Sequence, residues 1–147
     1  MLQLIDRFFL LFFLATPVLA EKPCIWHGTA PLCGSPDCPR GTKQLFRDGD
    51  SYDSYLADFG GHCSTGKKTL CCKDEFVRVN HTQHCGRYIW PMNGRGKCPD
   101  DTDRIGGAQH TTLFGLIRGS ESDICCDKGI FIGAAKEIIA VMNPSDA

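Results

Sequence analysis

Ten cysteines set the chemistry open to this 147-residue chain. They stand at Cys24, Cys33, Cys38, Cys63, Cys71 and Cys72, then at Cys85, Cys98, Cys125 and Cys126. A thiol can attack a substrate, ligate a metal or oxidise to a bridge, and number and spacing discriminate among these. An even count this high in so short a chain marks a disulfide scaffold. Full pairing leaves no thiolate as a nucleophile.

The other groups with chemical potential do not assemble. Histidines occur at His27, His62, His81, His84 and His110. His81-x-x-His84-Cys85 has a spacing that could grip a metal from a turn, but it lies between the two cysteine groups, where solvated histidines are expected. Asp101-x-Asp103 before Gly106 resembles the start of a calcium loop, yet Ile105 and Thr112 occupy the places that need an oxygen ligand and a glutamate. Asp48-Gly49-Asp50-Ser51-Tyr52-Asp53 reads as a solvated acidic turn rather than a weak calcium site. No G-x-S-x-G elbow, H-E-x-x-H or P-loop is present. The sequence nominates no catalytic residue, metal or cofactor, and the chain is expected not to be an enzyme.

Binding residues are scarcely better marked. Trp26 and Trp90 read as shields over neighbouring disulfides, with stacking on a sugar or peptide as the alternative. Arg87, Arg95 and Lys97 form a small basic cluster around Asn93-Gly94, expected to be solvated, with an anionic glycan or partner as the sharper alternative. Lys+Arg number 16 against 17 Asp+Glu, which argues against nucleic acid or an anionic membrane held by bulk charge.

The elements that would carry these residues begin after residue 20. Phe8 to Leu14 is an uncharged run of large apolar residues behind a polar start, and Val18-Leu19-Ala20 supplies a small-residue cleavage site. Residues 1–20 therefore read as a secretory signal peptide cleaved before Glu21. The alternative is an uncleaved membrane anchor, but the run is short of the roughly 20 residues that span a bilayer, and no membrane association is expected after cleavage. Secretion makes disulfides, not metal, the expected state of the cysteines. Asn80-His81-Thr82 is an N-glycosylation sequon with Asn80 as acceptor.

The remainder reads as two cysteine-rich modules, residues 21–79 and 85–147, joined by a linker at 80–84. Each places single cysteines early and an adjacent pair late. Cys38-Pro39-x-x-Thr42-x-x-Leu45 matches Cys98-Pro99-x-x-Thr102-x-x-Ile105, and Leu70-Cys71-Cys72 matches Ile124-Cys125-Cys126. Ile25-Trp26 is taken to answer Ile89-Trp90. Cys33 and Cys63 have no counterparts, so the simplest inference pairs them with each other. Each adjacent pair should reach two different partners, because neighbouring strand residues point to opposite faces. Which member goes to which early cysteine stays open. No bridge should cross between the modules, and each would oxidise and fold by itself.

Short strands are expected at 43–46, 69–73, 76–79, 88–90, 111–117 and 124–126, with 73–75 turning the second into a hairpin. Ala134, Ala135, Ile138, Ile139 and Met142 recur at helical spacing before Asn143-Pro144, predicting one short C-terminal helix. The fold class is small and disulfide-rich: two β-strand and turn modules stapled by bridges, with that helix appended.

The run C-I-W-H-G-T-A-P-L-C, with Cys38-Pro39, His62-Cys63, Thr65-Gly66-Lys67-Lys68 and Leu70-Cys71-Cys72, resembles a small secreted module known especially from nematodes, marked by a C-x-W-x-G-T-A-P-F/L-C opening. The likeness covers about a third of the chain. It implies an extracellular location and a bridged fold, and it transfers no active-site residue. The sequence thus points to a secreted, non-enzymatic binding or interaction protein whose partner is an extracellular protein or glycan. A protease inhibitor with a bridged exposed loop is the alternative, with Lys67 or Arg40 as its specificity residue.

Overall fold

The computed structural model describes residues 21–50, 53–79, 84–90, 98–111 and 118–143. The expected signal peptide, the sequon at Asn80, His81, Arg95 and Lys97 lie outside the described residues. All ten cysteines are bridged, in five disulfides.

Among the described residues, seven strands and one α-helix follow in chain order. They are β1 (Cys24–His27), β2 (Thr42–Asp48), β3 (Asp53–Ser54), β4 (Lys68–Lys73), β5 (Cys85–Trp90), β6 (Thr102–Thr111), β7 (Arg118–Asp127) and α1 (Gly133–Met142). They form two antiparallel sheets, ordered β1-β4-β2 and β3-β6-β7-β5. In each sheet the strand with the adjacent cysteines takes an inner place, and its sequence explains why. Leu70-Cys71-Cys72 and Ile124-Cys125-Cys126 put apolar side chains on both faces, and each of these residues is at most 1% exposed.

Register settles the pairing that spacing left open. Cys72 lies directly opposite Cys24, and Cys126 opposite Cys85, so each pair closes across neighbouring strands. Alternation then turns Cys71 and Cys125 to the other face, where Cys38 and Cys98 reach them from the turns before β2 and β6. Cys33 bonds Cys63. No bridge joins the two halves.

Several contacts recur in both halves. Thr42 donates to the Pro39 carbonyl through Oγ1 (2.7 Å) and N–H (3.2 Å), and Thr102 does the same to Pro99 (2.8 Å for each). A bulge at the fourth strand position leaves Leu45 without a register partner on β4 and Ile105 without one on β7, and turns both fully into the core. The tryptophans break the pattern. In register Trp26 stands opposite Leu70, whereas the residue opposite Ile124 is Arg87, and Trp90 lies three residues further on, opposite Glu121. Ile25-Trp26 and Ile89-Trp90 are therefore not equivalent, because the cysteines, not the aromatics, fix the alignment.

One local expectation is corrected. Residues 74–76 form a 3-10 turn, Asp74–Phe76, instead of a hairpin, and 76–79 do not return onto β4. Instead Val77 bridges Phe131 in the other half, with Arg78 N–H on the Ile130 carbonyl (2.6 Å) and Ile132 N–H on the Phe76 carbonyl (2.9 Å). Counted from the paired cysteines, Phe76 matches Ile130 and Arg78 matches Ile132. The two bonds are therefore each other's counterparts, as in an isologous twofold contact. Strand β6 occupies 102–111, and of the strand expected at 111–117 all but Thr111 lies outside the described residues.

The packing consequently crosses the line that the disulfides respect. Leu45, Leu56, Leu70 and Val77 from the first half share one buried cluster with Ile105, Ile124, Phe131 and Ile139 from the second. Strand β3 pairs with β6, and Tyr55 N–H donates to the Ile105 carbonyl at 3.2 Å. Helix α1 adds Ala135 and Ile139 to this core, and Asn143 caps it by donating from its N–H and Nδ2 to the Ile139 carbonyl and from Nδ2 to the Arg104 carbonyl. Among the described residues no helix is long and apolar enough to cross a membrane.

Candidate functional site

A closely constrained exposed feature among the described residues is a double loop at one end of the first sheet, formed by residues 28–36 and 60–67. Its two limbs run parallel and are laced by backbone bonds. Ser64 and Thr65 N–H donate to the Pro31 carbonyl (2.8 and 3.2 Å). Cys33 N–H donates to the Thr65 carbonyl and Ser35 N–H to the Lys67 carbonyl, both at 3.0 Å. Lys67 N–H returns to Ser35 Oγ at 2.9 Å, and the Cys33–Cys63 bridge crosses the middle.

The sequence permits this closeness through two glycines. A Cβ on Gly66 would lie 2.7 Å from Gly34 N at a φ of +73°, and one on Gly28 would meet the Cys33 carbonyl at 2.9 Å at a φ of +123°. The Ala30-Pro31 peptide is cis. Beneath the loop, Lys68 is buried at 5% exposure, its ammonium over the Phe59 ring (4.5 Å) and bonded to the Phe59 carbonyl. Burial pushes the Lys68 pKa below its ordinary value.

At the tip stands Leu32, 70% exposed. Its bridge to Thr65 uses the carbonyl of Pro31 and the N–H of Cys33, as parallel pairing requires. The N–H and C=O of Leu32 itself face the other edge, and neither bonds to a described residue. A large apolar side chain and a free strand-like peptide edge are thus held on a covalently closed support.

The residues singled out by sequence are mostly engaged elsewhere. Arg87 does not belong to a solvated basic cluster, since its guanidinium lies 2.5 Å from Asp50 and 3.6 Å from Asp48. The acidic turn is therefore bound to a cationic side chain, and Asp48 Oδ1 also accepts from the Gly49 and Asp50 N–H groups. His84 Nδ1 pairs with Asp127 at 3.1 Å. Asp103 sits in β6 opposite Cys126, part of a ladder and not a loop. Among the described residues no group of three or more His, Cys, Asp or Glu could hold a metal ion. Trp26 packs edge-on against Phe46 and Phe59 (centroids 6.3 and 4.8 Å), and Trp90 stacks on Tyr88 at 6.3 Å. Arg40 lies in the tight turn that Thr42 closes on Pro39, and both backbone groups of Lys67 are bonded to Ser35.

Two features had no sequence signal strong enough to find them. Leu32 reads as core by residue type, and only its place between Pro31 and a bridged cysteine hints otherwise. Arg104 joins Asp123 (2.6 Å) to the Tyr55 hydroxyl (2.5 Å), a link between the halves that no spacing announces. A hollow of about 190 Å³ lies between α1 and β6, lined by Asp103, Phe131, Lys136, Ile139 and Asn143. It is smaller than the roughly 300–1,000 Å³ usual for small-molecule sites. No protein-family model matches the chain, and comparison with curated proteins and with solved structures gives no match.

Proposed function

We propose that the chain is a secreted, non-enzymatic binding protein of an extracellular protein or glycan, built from two related bridged modules and resembling the nematode-type secreted modules. The observation that carries the reading is the double loop around Leu32. Pinning a loop before binding reduces the ordering entropy that association would otherwise cost, and that is the usual return on a bridged, hydrogen-bonded tip. The turn bonds, bulges and cysteine registers that recur in the two halves support their common origin. Secretion rests on the apolar leader at residues 1–20 and on ten bridged cysteines, which persist in oxidising compartments.

Expression in a glycosylating secretory host tests the whole reading. The secreted chain should begin at Glu21, take up no alkylating agent before reduction, and lose its deglycosylation shift in Asn80→Gln. Immobilised on resin, it should retain an extracellular component that the reduced and alkylated chain does not retain. Equal retention by both forms would mean that the folded surface is not the binding agent.

A further inference from the structure

Resting on that binding reading, we infer that the partner of the double loop is a serine endopeptidase with an apolar primary specificity pocket, and that Leu32 is the residue that enters it. Such an enzyme grips its substrate as an added strand, through main-chain bonds on one edge and one side chain in a pocket. Leu32 offers both at once. Its side chain is 70% exposed, and its own N–H and C=O are directed away from the limb that holds its neighbours. Flanking residues are not offered. The Pro31 carbonyl accepts two N–H groups from residues 64 and 65, and Cys33 is held by its bridge and by Thr65.

The same contacts explain why such a loop would inhibit rather than be consumed. Attack by the enzyme's serine Oγ on the Leu32 carbonyl would form an ester there and break the Leu32–Cys33 C–N bond. The serine proton would pass to the Cys33 nitrogen, making it an amine. In an ordinary substrate that amine diffuses away and water hydrolyses the ester. Here Cys33 stays tethered to Cys63, with the Thr65 carbonyl 3.0 Å from its nitrogen, while Pro31 remains bound to the same limb. The amine therefore stays beside the ester at high effective concentration, and resynthesis of the peptide bond outruns hydrolysis. Lys67 and Arg40 lack this arrangement. One has both backbone groups committed to Ser35, and the other sits in a closed turn that cannot extend along an enzyme cleft.

The test uses the full oxidised chain with chymotrypsin, whose pocket is apolar, and trypsin, whose pocket carries an aspartate. Wild type should inhibit chymotrypsin and leave trypsin unaffected. Leu32→Asp should weaken that inhibition by about 100-fold or more. Leu32→Arg should transfer inhibition to trypsin, a gain that misfolding cannot produce. The assignment is overturned if wild type inhibits neither enzyme, or if Leu32→Asp inhibits as well as wild type. If wild type and Leu32→Asp inhibit neither enzyme but retain the same extracellular partner, this assignment falls while the general binding reading stands. If no partner is retained either, both fall.

Discussion

Replacing one fully buried residue in each half tests whether the two frameworks unfold as one body. Leu45 and Ile105 occupy matching bulge positions, and both are 0% exposed. Truncation to alanine removes three carbons from either, about 2.4 kcal/mol of transfer free energy at ~0.8 kcal/mol per methylene. The cavity left behind raises the cost to about 3–4 kcal/mol, within the range for such substitutions. For a chain of this size each kcal/mol lowers Tm by roughly 4 °C, so each variant should melt about 12–16 °C lower. The links across the halves decide how the loss is shared. The Ile105 carbonyl accepts from Tyr55 N–H and Ser54 Oγ, both at 3.2 Å, and the 76–78 and 130–132 segments exchange two further bonds. Scanning calorimetry should therefore show a single transition whose van't Hoff and calorimetric enthalpies agree. Leu45→Ala and Ile105→Ala should each move that one transition. Two resolved transitions, with Leu45→Ala moving one and Ile105→Ala the other, would refute the shared core.

Three further outcomes are expected. Gly66→Ala should cost about 1–3 kcal/mol, because its Cβ would meet Gly34 N at 2.7 Å on a backbone with φ +73°, and denaturant melts with unchanged m-value would show it. The double change Cys33→Ala and Cys63→Ala opens a bridge with a sequence separation of 30 and should cost roughly 3.5 kcal/mol by chain entropy, read from the same melts, while the other four bridges remain mapped as before. The third concerns Lys68, whose folded pKa lies below the ordinary 10.5. The unfolded chain then binds that proton more tightly, so stability should rise as pH climbs from the depressed folded value toward 10.5 and stay flat below it. Urea midpoints across that range should show the rise in wild type and not in Lys68→Met.

How far the sequence could be read depends on whether its signals were local. The helix was legible because Ala135, Ile138 and Ile139 repeat at its period and Asn143-Pro144 stops it; it spans Gly133–Met142. Strands β4 and β7 were legible in part from their apolar, β-branched runs. Strand β1 was missed because C-I-W-H looks like a cysteine flanked by a chance hydrophobe, and its strand character comes from lying against β4. Most of β6 was missed too, since Arg104, Gly106 and Gly107 carry no strand propensity and are held by β7 on one side and β3 on the other. Residues 76–79 carried enough apolar character to suggest a strand, but no local signal told them to pair with Phe131, more than fifty residues away.

The disulfides show the same boundary between what spacing can and cannot decide. Alternation of side chains along a strand requires Cys71 and Cys72 to find different partners, and the sequence alone carries that much. Assigning them requires knowing which strand lies beside β4 in which register, a fact that belongs to tertiary packing. Once β1 is placed with Cys24 opposite Cys72, Cys71 must turn to the opposite face, and Cys38 is the cysteine that the turn before β2 delivers there. The second half repeats the solution with Cys85, Cys126, Cys98 and Cys125. Only Cys33–Cys63 stands outside this scheme. It braces no strand pair; it closes the double loop beneath Leu32. The first half therefore carries, beyond the framework common to both, one additional bridge, and that bridge is spent on the exposed loop rather than on the shared core.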